Sequence, residues 1–65
     1  MNQKTATKLA QAIGLIDEAT RLSDTDDEGI KIREHGWGIK NLLSRNGYEA
    51  IEDSRGYHAI KVEDE

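Results

Sequence analysis

The sequence predicts an α+β fold in which two to three N-terminal helices pack on a C-terminal antiparallel β-hairpin, an order of elements also found in winged helices. Over residues 5–22 and 38–46, apolar residues recur at the three- and four-residue spacing of amphipathic helices. Residues 48–62 instead alternate in polarity on either side of a short turn that contains a glycine. No repeat, linker or low-complexity tract divides the 65 residues, so we expect one small domain over residues 1–65.

A first helix is predicted over residues 4–22. Asn2 or Thr5 can cap its first turn with a side-chain oxygen. Gly14 costs about 1 kcal/mol relative to alanine inside a helix, so we expect another part of the chain to pack closely against it. The apolar stripe of this helix consists of Leu9, Ala12, Ile13, Ile16, Ala19 and Leu22.

A second, shorter helix is predicted over residues 26–35. Thr25 and Glu28 have the spacing of a capping box, and acidic residues crowd the end where the helix dipole favours negative charge. Gly36 has the position of a residue that ends a helix, which makes Gly36-Trp37-Gly38 a turn. The alternation of apolar and basic residues over 29–33 leaves a strand there as the alternative.

A third helix is predicted over residues 38–46, and a hairpin over residues 48–62. Asn46-Gly47 is a good helix C-cap that would bring Tyr48 back onto Leu43. A three-residue loop, Ser54-Arg55-Gly56, would place Asp53 opposite Tyr57 and Glu49 opposite Lys61. In that register the core face holds Tyr48, Ala50, Ile60 and Val62, and the outer face holds Ile51, Tyr57 and Ala59.

The composition limits the classes of function. Nine basic and 13 acidic residues give a net charge of −4, opposite in sign to the usual footprint of a nucleic-acid binder. Without cysteine the chain has no disulfide and no thiolate metal site, and we expect no metal ion and no cofactor. Asp24-Thr-Asp-Asp-Glu-Gly29 resembles the start of a calcium loop, but His35 stands where that loop needs a glutamate.

Size and hydropathy suggest location and assembly. The longest nearly apolar run, residues 9–16, is far shorter than the roughly 18 residues that a membrane span needs. With no cysteine and no secretory signal, we expect a cytoplasmic protein without membrane association. Because so small a domain without disulfides or a structural metal is marginally stable, a homodimer or a complex with another protein is an option.

The C-terminal part of the chain resembles one known family. Leu-Leu-Ser-Arg-Asn-Gly-Tyr at residues 42–48, followed by a strand and Arg55-Gly-Tyr-His58, is similar to the opening of the HicA family of small mRNA-cleaving toxins. By this resemblance His58 would be the catalytic histidine. Tyr57 replaces the serine of the family's Gly-Ser-His step, and the similar part of the chain is short. We therefore assign no family on this basis.

The function that the residues favour is a non-enzymatic one. Neither serine nor histidine is set in a recognisable catalytic pattern, whereas Trp, Tyr and Arg are the residue types that dominate protein interfaces. We expect a stoichiometric adaptor or inhibitor that occupies a partner protein, of the kind found among phage or prophage accessory proteins. The expected partner-binding residues are Trp37, Ile51, Arg55, Tyr57 and Ala59.

The alternative function is a winged-helix DNA-binding regulator of transcription. Residues 38–46 would be its recognition helix, and the hairpin would be its wing. One lysine and one arginine on that helix are few, because phosphate contacts dominate affinity for DNA. The expected DNA-binding residues in this reading are Lys40, Asn41, Ser44, Arg45 and Arg55.

Overall fold

The computed structural model describes residues 1–62, which form two helices followed by a β-hairpin. The helices are α1 (Gln3–Arg21) and α2 (Asp26–Arg45), and the strands are β1 (Tyr48–Asp53) and β2 (Gly56–Lys61). The strands form a two-stranded antiparallel sheet. The predicted α+β fold, with helices first and the hairpin last, is confirmed.

Both helices begin at the predicted side-chain caps. The Oδ1 atom of Asn2 accepts a hydrogen bond of 2.8 Å from the backbone N–H of Thr5. The Oγ1 atom of Thr25 accepts one of 3.2 Å from the N–H of Glu28. Each cap satisfies a donor that has no partner within its own helix, and the acidic first turn of α2 adds a favourable interaction with the helix dipole.

The predicted break between residues 35 and 38 is wrong, because α2 is one continuous helix of 20 residues. The strand considered for residues 29–33 is likewise absent, since those residues are helical. Gly36 does not end a helix; it is buried where α2 packs on α1. A Cβ atom at this position would lie 3.3 Å from Cγ2 of Ile16, so the missing side chain lets the helices approach closely.

The hairpin register differs by one residue from the predicted one. Asp53 pairs with Gly56 rather than Tyr57, and Glu49 pairs with Ile60 rather than Lys61. The loop therefore has two residues, and the carboxylate of Asp53 accepts a hydrogen bond of 2.8 Å from the N–H of Arg55 across it. Because side chains alternate along a strand, this shift moves every residue of β2 to the opposite face from the predicted one.

The core lies between α1, the C-terminal half of α2 and the inner face of the hairpin. Tyr57 and Ala59 occupy the hairpin positions that were predicted for Ile60 and Val62, which are 40% and 45% exposed. Strand β2 packs on α1 and does not touch α2, whereas β1 contacts both helices. The buried residues of the core are Ala6, Ala10, Ile13, Leu43, Tyr48 and Ala59.

Candidate protein-binding surface

One side of α2 carries a row of polar and aromatic side chains that the core does not use. Arg33, Trp37, Lys40 and Ser44 are spaced by four, three and four residues, so they lie along one side of the helix. We call these four residues the α2 stripe. Trp37 is 53% exposed, which is high for the largest apolar side chain of the protein. An exposed tryptophan on a regular helix is a candidate anchor for another protein.

A small groove between the helices adjoins Trp37 and has a volume of about 90 Å³. Gly36 and Ile16 form part of its lining. Trp37 also forms part of the lining of this groove. The remaining lining residues are Ile13, Asp17, Thr20, Arg33 and Lys40.

A larger groove of about 520 Å³ lies between α2 and the start of the hairpin. On the α2 side it is lined by Lys40 and Ser44. Lys40 borders both grooves, so the two adjoin along the α2 stripe. The hairpin side of the larger groove consists of Gly47, Tyr48, Glu49, Ala50 and Val62.

The basic residues of the α2 stripe make no ion pair in the described part of the chain. Over residues 1–62, Arg21 forms an ion pair with Asp17 at 2.9 Å, and Nδ1 of His58 lies 3.5 Å from a carboxylate oxygen of Asp53. Arg33 and Lys40 are exposed and take part in neither pair. Asp17, the acid that lines the smaller groove, is paired with Arg21, so no ion pair within residues 1–62 neutralises the positive charge of the α2 stripe.

The structure does not bring the predicted partner-binding residues onto one surface. Ala59 is buried at 5% exposure, and the ring of Tyr57 packs against Gly14 of α1. Ile51 points to the opposite face of the hairpin, because it alternates with Ala50 and pairs with His58. Arg55 lies in the loop near the C-terminal half of α1, and Trp37 lies on α2. Of the five residues, Trp37 alone belongs to the surface described above.

The residues predicted for DNA binding are also divided. Lys40, Asn41, Ser44 and Arg45 lie in the C-terminal half of α2, but no turn precedes them, so residues 38–46 are not a separate recognition helix. Arg55 lies at the hairpin loop, which borders the C-terminal half of α1 instead. The turn between the two helices, residues 22–25, precedes the whole of α2, so the predicted arrangement with residues 38–46 as a separate recognition helix does not form.

His58 is half-buried on the outer face of the hairpin. Its Nδ1 atom lies 3.5 Å from a carboxylate oxygen of Asp53, at the other strand of the same hairpin. The described residues contain no group of three or more histidine and acidic side chains placed to hold a metal ion. What these side chains form is a pair at the surface of a sheet, which also occurs without any chemical role.

Tyr57 fixes the position of the hairpin on α1. The pKa of its phenol is raised, chiefly by burial and further by the carboxylates of Glu52 and Asp17, while Arg21 lowers it. A neutral phenol is therefore favoured in the folded protein, which suits a ring packed on the backbone of Gly14.

Arg33 belongs to the surface but was not among the predicted site residues. The signal that could have found it is the helical spacing of Arg33, Trp37 and Lys40, which continues across Gly36. Reading Gly36-Trp37-Gly38 as a turn concealed that spacing. The groove beside β1 could not be found from the sequence, because it depends on how the hairpin lies on the helices.

Searches against protein-family models, curated proteins and solved structures found no match to this chain. The resemblance to the HicA toxins thus receives no support from the family models. Neither helix within residues 1–62 has the length and hydropathy required to cross a bilayer.

Proposed function

We propose that this protein is a non-enzymatic binding module that acts stoichiometrically, as an adaptor or inhibitor, by occupying a partner protein through the α2 stripe. Trp37 is the anchor, and Arg33 and Lys40 contribute charge beside it. The single observation that supports this proposal best is the amount of surface that the chain leaves uncovered.

The chain exposes 5144 Å² of accessible surface. A compact monomer of 7.3 kDa exposes only about 4,200 Å², so roughly 1,000 Å² is in excess. A standard protein interface covers about 800 Å² on each partner. The radius of gyration, 12.5 Å, also exceeds the roughly 10.7 Å of a compact chain of this length. The excess is therefore of the size that one partner would cover.

The α2 stripe is a better binding surface than the other exposed apolar residues. Leu15 on α1 and Leu22 at the C-cap of α1 are 67% and 76% exposed, and both side chains are aliphatic. The α2 stripe combines tryptophan, arginine and lysine with two adjoining grooves. Tryptophan and arginine are enriched among the residues that lose most binding energy on truncation, whereas leucine is under-represented.

The test compares Trp37→Ala with the matched control Leu22→Ala, which removes an aliphatic side chain that is even more exposed. Partner proteins are captured on the immobilised chain from lysate with and without nuclease treatment and quantified for each variant. We expect Trp37→Ala to reduce capture at least tenfold, as for a binding anchor worth about 2 kcal/mol, and Leu22→Ala to leave it unchanged. Thermal melts check that both variants fold.

Two outcomes would contradict the proposal. Equal capture by Trp37→Ala and the unmodified chain would remove the α2 stripe from binding. Capture that disappears on nuclease treatment, together with steeply salt-dependent binding to duplex DNA that Arg45→Ala weakens, would favour the DNA-binding alternative instead.

A further inference from the structure

We propose that the partner contributes an extended acidic segment, which adds to the free edge of β1 as a third strand and lies in the groove beside the α2 stripe. This inference rests on the proposed function, because it names the kind of segment that the same surface binds. Peptide addition to an open strand edge is an established mode of recognition, in which backbone hydrogen bonds give affinity and side-chain pockets give specificity.

The backbone of β1 has free groups along the edge that does not pair with β2, and the groove adjoins the first part of this edge, at Tyr48 and Ala50. The N–H of Val62 donates to the carbonyl of Gly47 at 2.7 Å, so residues 47 and 62 form a hydrogen-bonded pair. Such pairs alternate along an antiparallel ladder. With the observed register, Glu49, Ile51 and Asp53 therefore bond to β2. The backbone N–H and C=O groups of the intervening residues point away from β2: Tyr48, Ala50 and Glu52.

The edge of β2 confirms this alternation. Ala59 pairs with Ala50, so both residues should direct their backbone groups outward from the hairpin. The carbonyl of Ala59 indeed accepts a hydrogen bond of 2.8 Å from the side-chain amide of Gln3. That contact also occupies the β2 edge beside α1, whereas β1 forms no ladder other than the one with β2 in the described structure. The open edge available to a partner is that of β1.

The groove has the size of a ligand site and lies between β1 and α2. Its volume of about 520 Å³ lies in the range of roughly 300–1,000 Å³ found for ligand sites. One wall is the β1 edge, and the other consists of Lys40 and Ser44 of the α2 stripe. Because side chains alternate along a strand, every second residue of the added segment would face α2. Those residues would meet Lys40 and, further along α2, the indole of Trp37.

Charge favours an acidic segment over a basic one. Arg33 and Lys40 supply two positive charges on the α2 wall, and neither is paired within residues 1–62. Two acids lie nearby: Asp17 is paired with Arg21, and Glu49 lines the hairpin side of the larger groove. A carboxylate on the side of the added strand that faces α2 would approach Lys40, while the opposite side of that strand would lie near Glu49. The segment that fits thus carries acids towards α2.

The first experiment uses the full chain labelled with ¹⁵N and two synthetic peptides. In one peptide valine alternates with glutamate, and in the other it alternates with lysine. The glutamate peptide should slow hydrogen exchange at the amides of Tyr48, Ala50 and Glu52. It should leave those of Glu49 and Ile51, which already bond to β2, unchanged. Weaker binding at higher salt and at least tenfold weaker binding of the lysine peptide are expected.

The second experiment compares Glu52→Pro with Glu52→Ala in the same peptide titration. Both variants remove an exposed carboxylate, but proline also removes the outward N–H, which the β1–β2 ladder does not use. We expect Glu52→Pro to bind the glutamate peptide about tenfold more weakly than Glu52→Ala, consistent with the loss of one backbone hydrogen bond and steric blocking of the edge. Circular dichroism of both variants should match that of the unmodified chain.

Three results would overturn the proposed addition of an acidic strand. The first is equal binding of the glutamate peptide by the proline and alanine variants, and the second is equal binding of the two peptides by the unmodified chain. The third is protection of the three outward amides without peptide, in a chain that light scattering shows to be a dimer. The last result would mean that a second copy occupies the edge. If one of these occurs while Trp37→Ala still abolishes partner capture, the binding function stands and only the mode of binding fails.

Discussion

At the scale of single residues, Gly14 and Tyr57 determine how the hairpin sits on α1. A glycine in the middle of a helix is normally unfavourable, by about 1 kcal/mol relative to alanine. Here it leaves space for an aromatic ring: a Cβ atom at residue 14 would lie 2.5 Å from Cδ2 of Tyr57. The sequence indicated a close approach at Gly14, but not which residue makes it, because the predicted register put Tyr57 on the outer face.

This contact predicts that the effect of Gly14→Ala on stability changes sign when Tyr57 is replaced by alanine. Gly14→Ala in the unmodified chain should destabilise the fold by about 1–2 kcal/mol, because displacing a packed ring costs more than the gain in helix propensity. With Tyr57→Ala in place the clash is gone, and the same substitution should stabilise the fold by up to about 1 kcal/mol. Urea unfolding of the four proteins measures both effects. Additive effects of the two substitutions would show that the ring does not pack on Gly14.

At the scale of elements, α2 is a single helix despite three glycines. Gly29, Gly36 and Leu43 are buried at intervals of seven residues, so the stripe that packs on α1 runs the whole length of the helix. The two glycines on that stripe have neighbours from the first helix and its following turn close by. Gly38, by contrast, is exposed and has no heavy atom within 4 Å of where a Cβ would lie.

This difference predicts that Gly38→Ala stabilises the protein. Alanine in an exposed, unobstructed helical position should add about 0.5–1 kcal/mol to the free energy of unfolding. The control is Gly47→Ala, which should destabilise by about 1 kcal/mol because Gly47 has a φ of +78°. Thermal or urea unfolding distinguishes the two. A loss of stability on Gly38→Ala would instead indicate that residues 36–38 form the turn predicted from the sequence.

The sequence predicted the ends of the helices better than the turns that connect the elements. Helix caps and the Asn46-Gly47 end of α2 depend on side chains next to the backbone groups they satisfy, so they can be read locally. Glycine has two uses, a turn or a close contact between helices, and at Gly36 only the position of Ile16 decides between them. The loop of the hairpin posed a similar ambiguity between two and three residues.

That ambiguity of one residue had large consequences for the site. It placed Tyr57 and Ala59 on the inner face of the hairpin and left Ile60 and Val62 exposed. Residues 37, 51, 55, 57 and 59 therefore do not share one surface. Trp37 was found from its residue type alone. The free edge of β1 beside α2 required the three-dimensional arrangement, since no local pattern in the sequence reports which strand lies next to which helix.

At the scale of the whole molecule, the chain buries little of its surface. An unfolded chain of 7.3 kDa exposes about 10,600 Å² on an extended reference, against 5144 Å² here, so about half is buried. Domains of this size usually bury about 60%. The core is correspondingly small, and eight large hydrophobic residues of the described chain remain exposed. A binding partner would supply burial that the fold itself lacks.

The remaining prediction concerns how this uncovered surface behaves in the isolated protein. The dependence of unfolding free energy on urea scales with the area exposed on unfolding, so the slope should be near the low end for small domains, about 1 kcal/mol/M. Because we propose a different protein as the partner, the urea concentration at half unfolding should not depend on chain concentration. It would rise with chain concentration if folding were linked to dimer formation. Urea titrations followed by the fluorescence of Trp37, at chain concentrations that differ widely, measure both quantities. A midpoint that rises with concentration would mean that a second copy of the chain already covers the edge of β1 and the α2 stripe. Repeating the titration with Glu52→Pro would then localise the contact, since a dimer formed through the β1 edge would lose its concentration dependence in that variant.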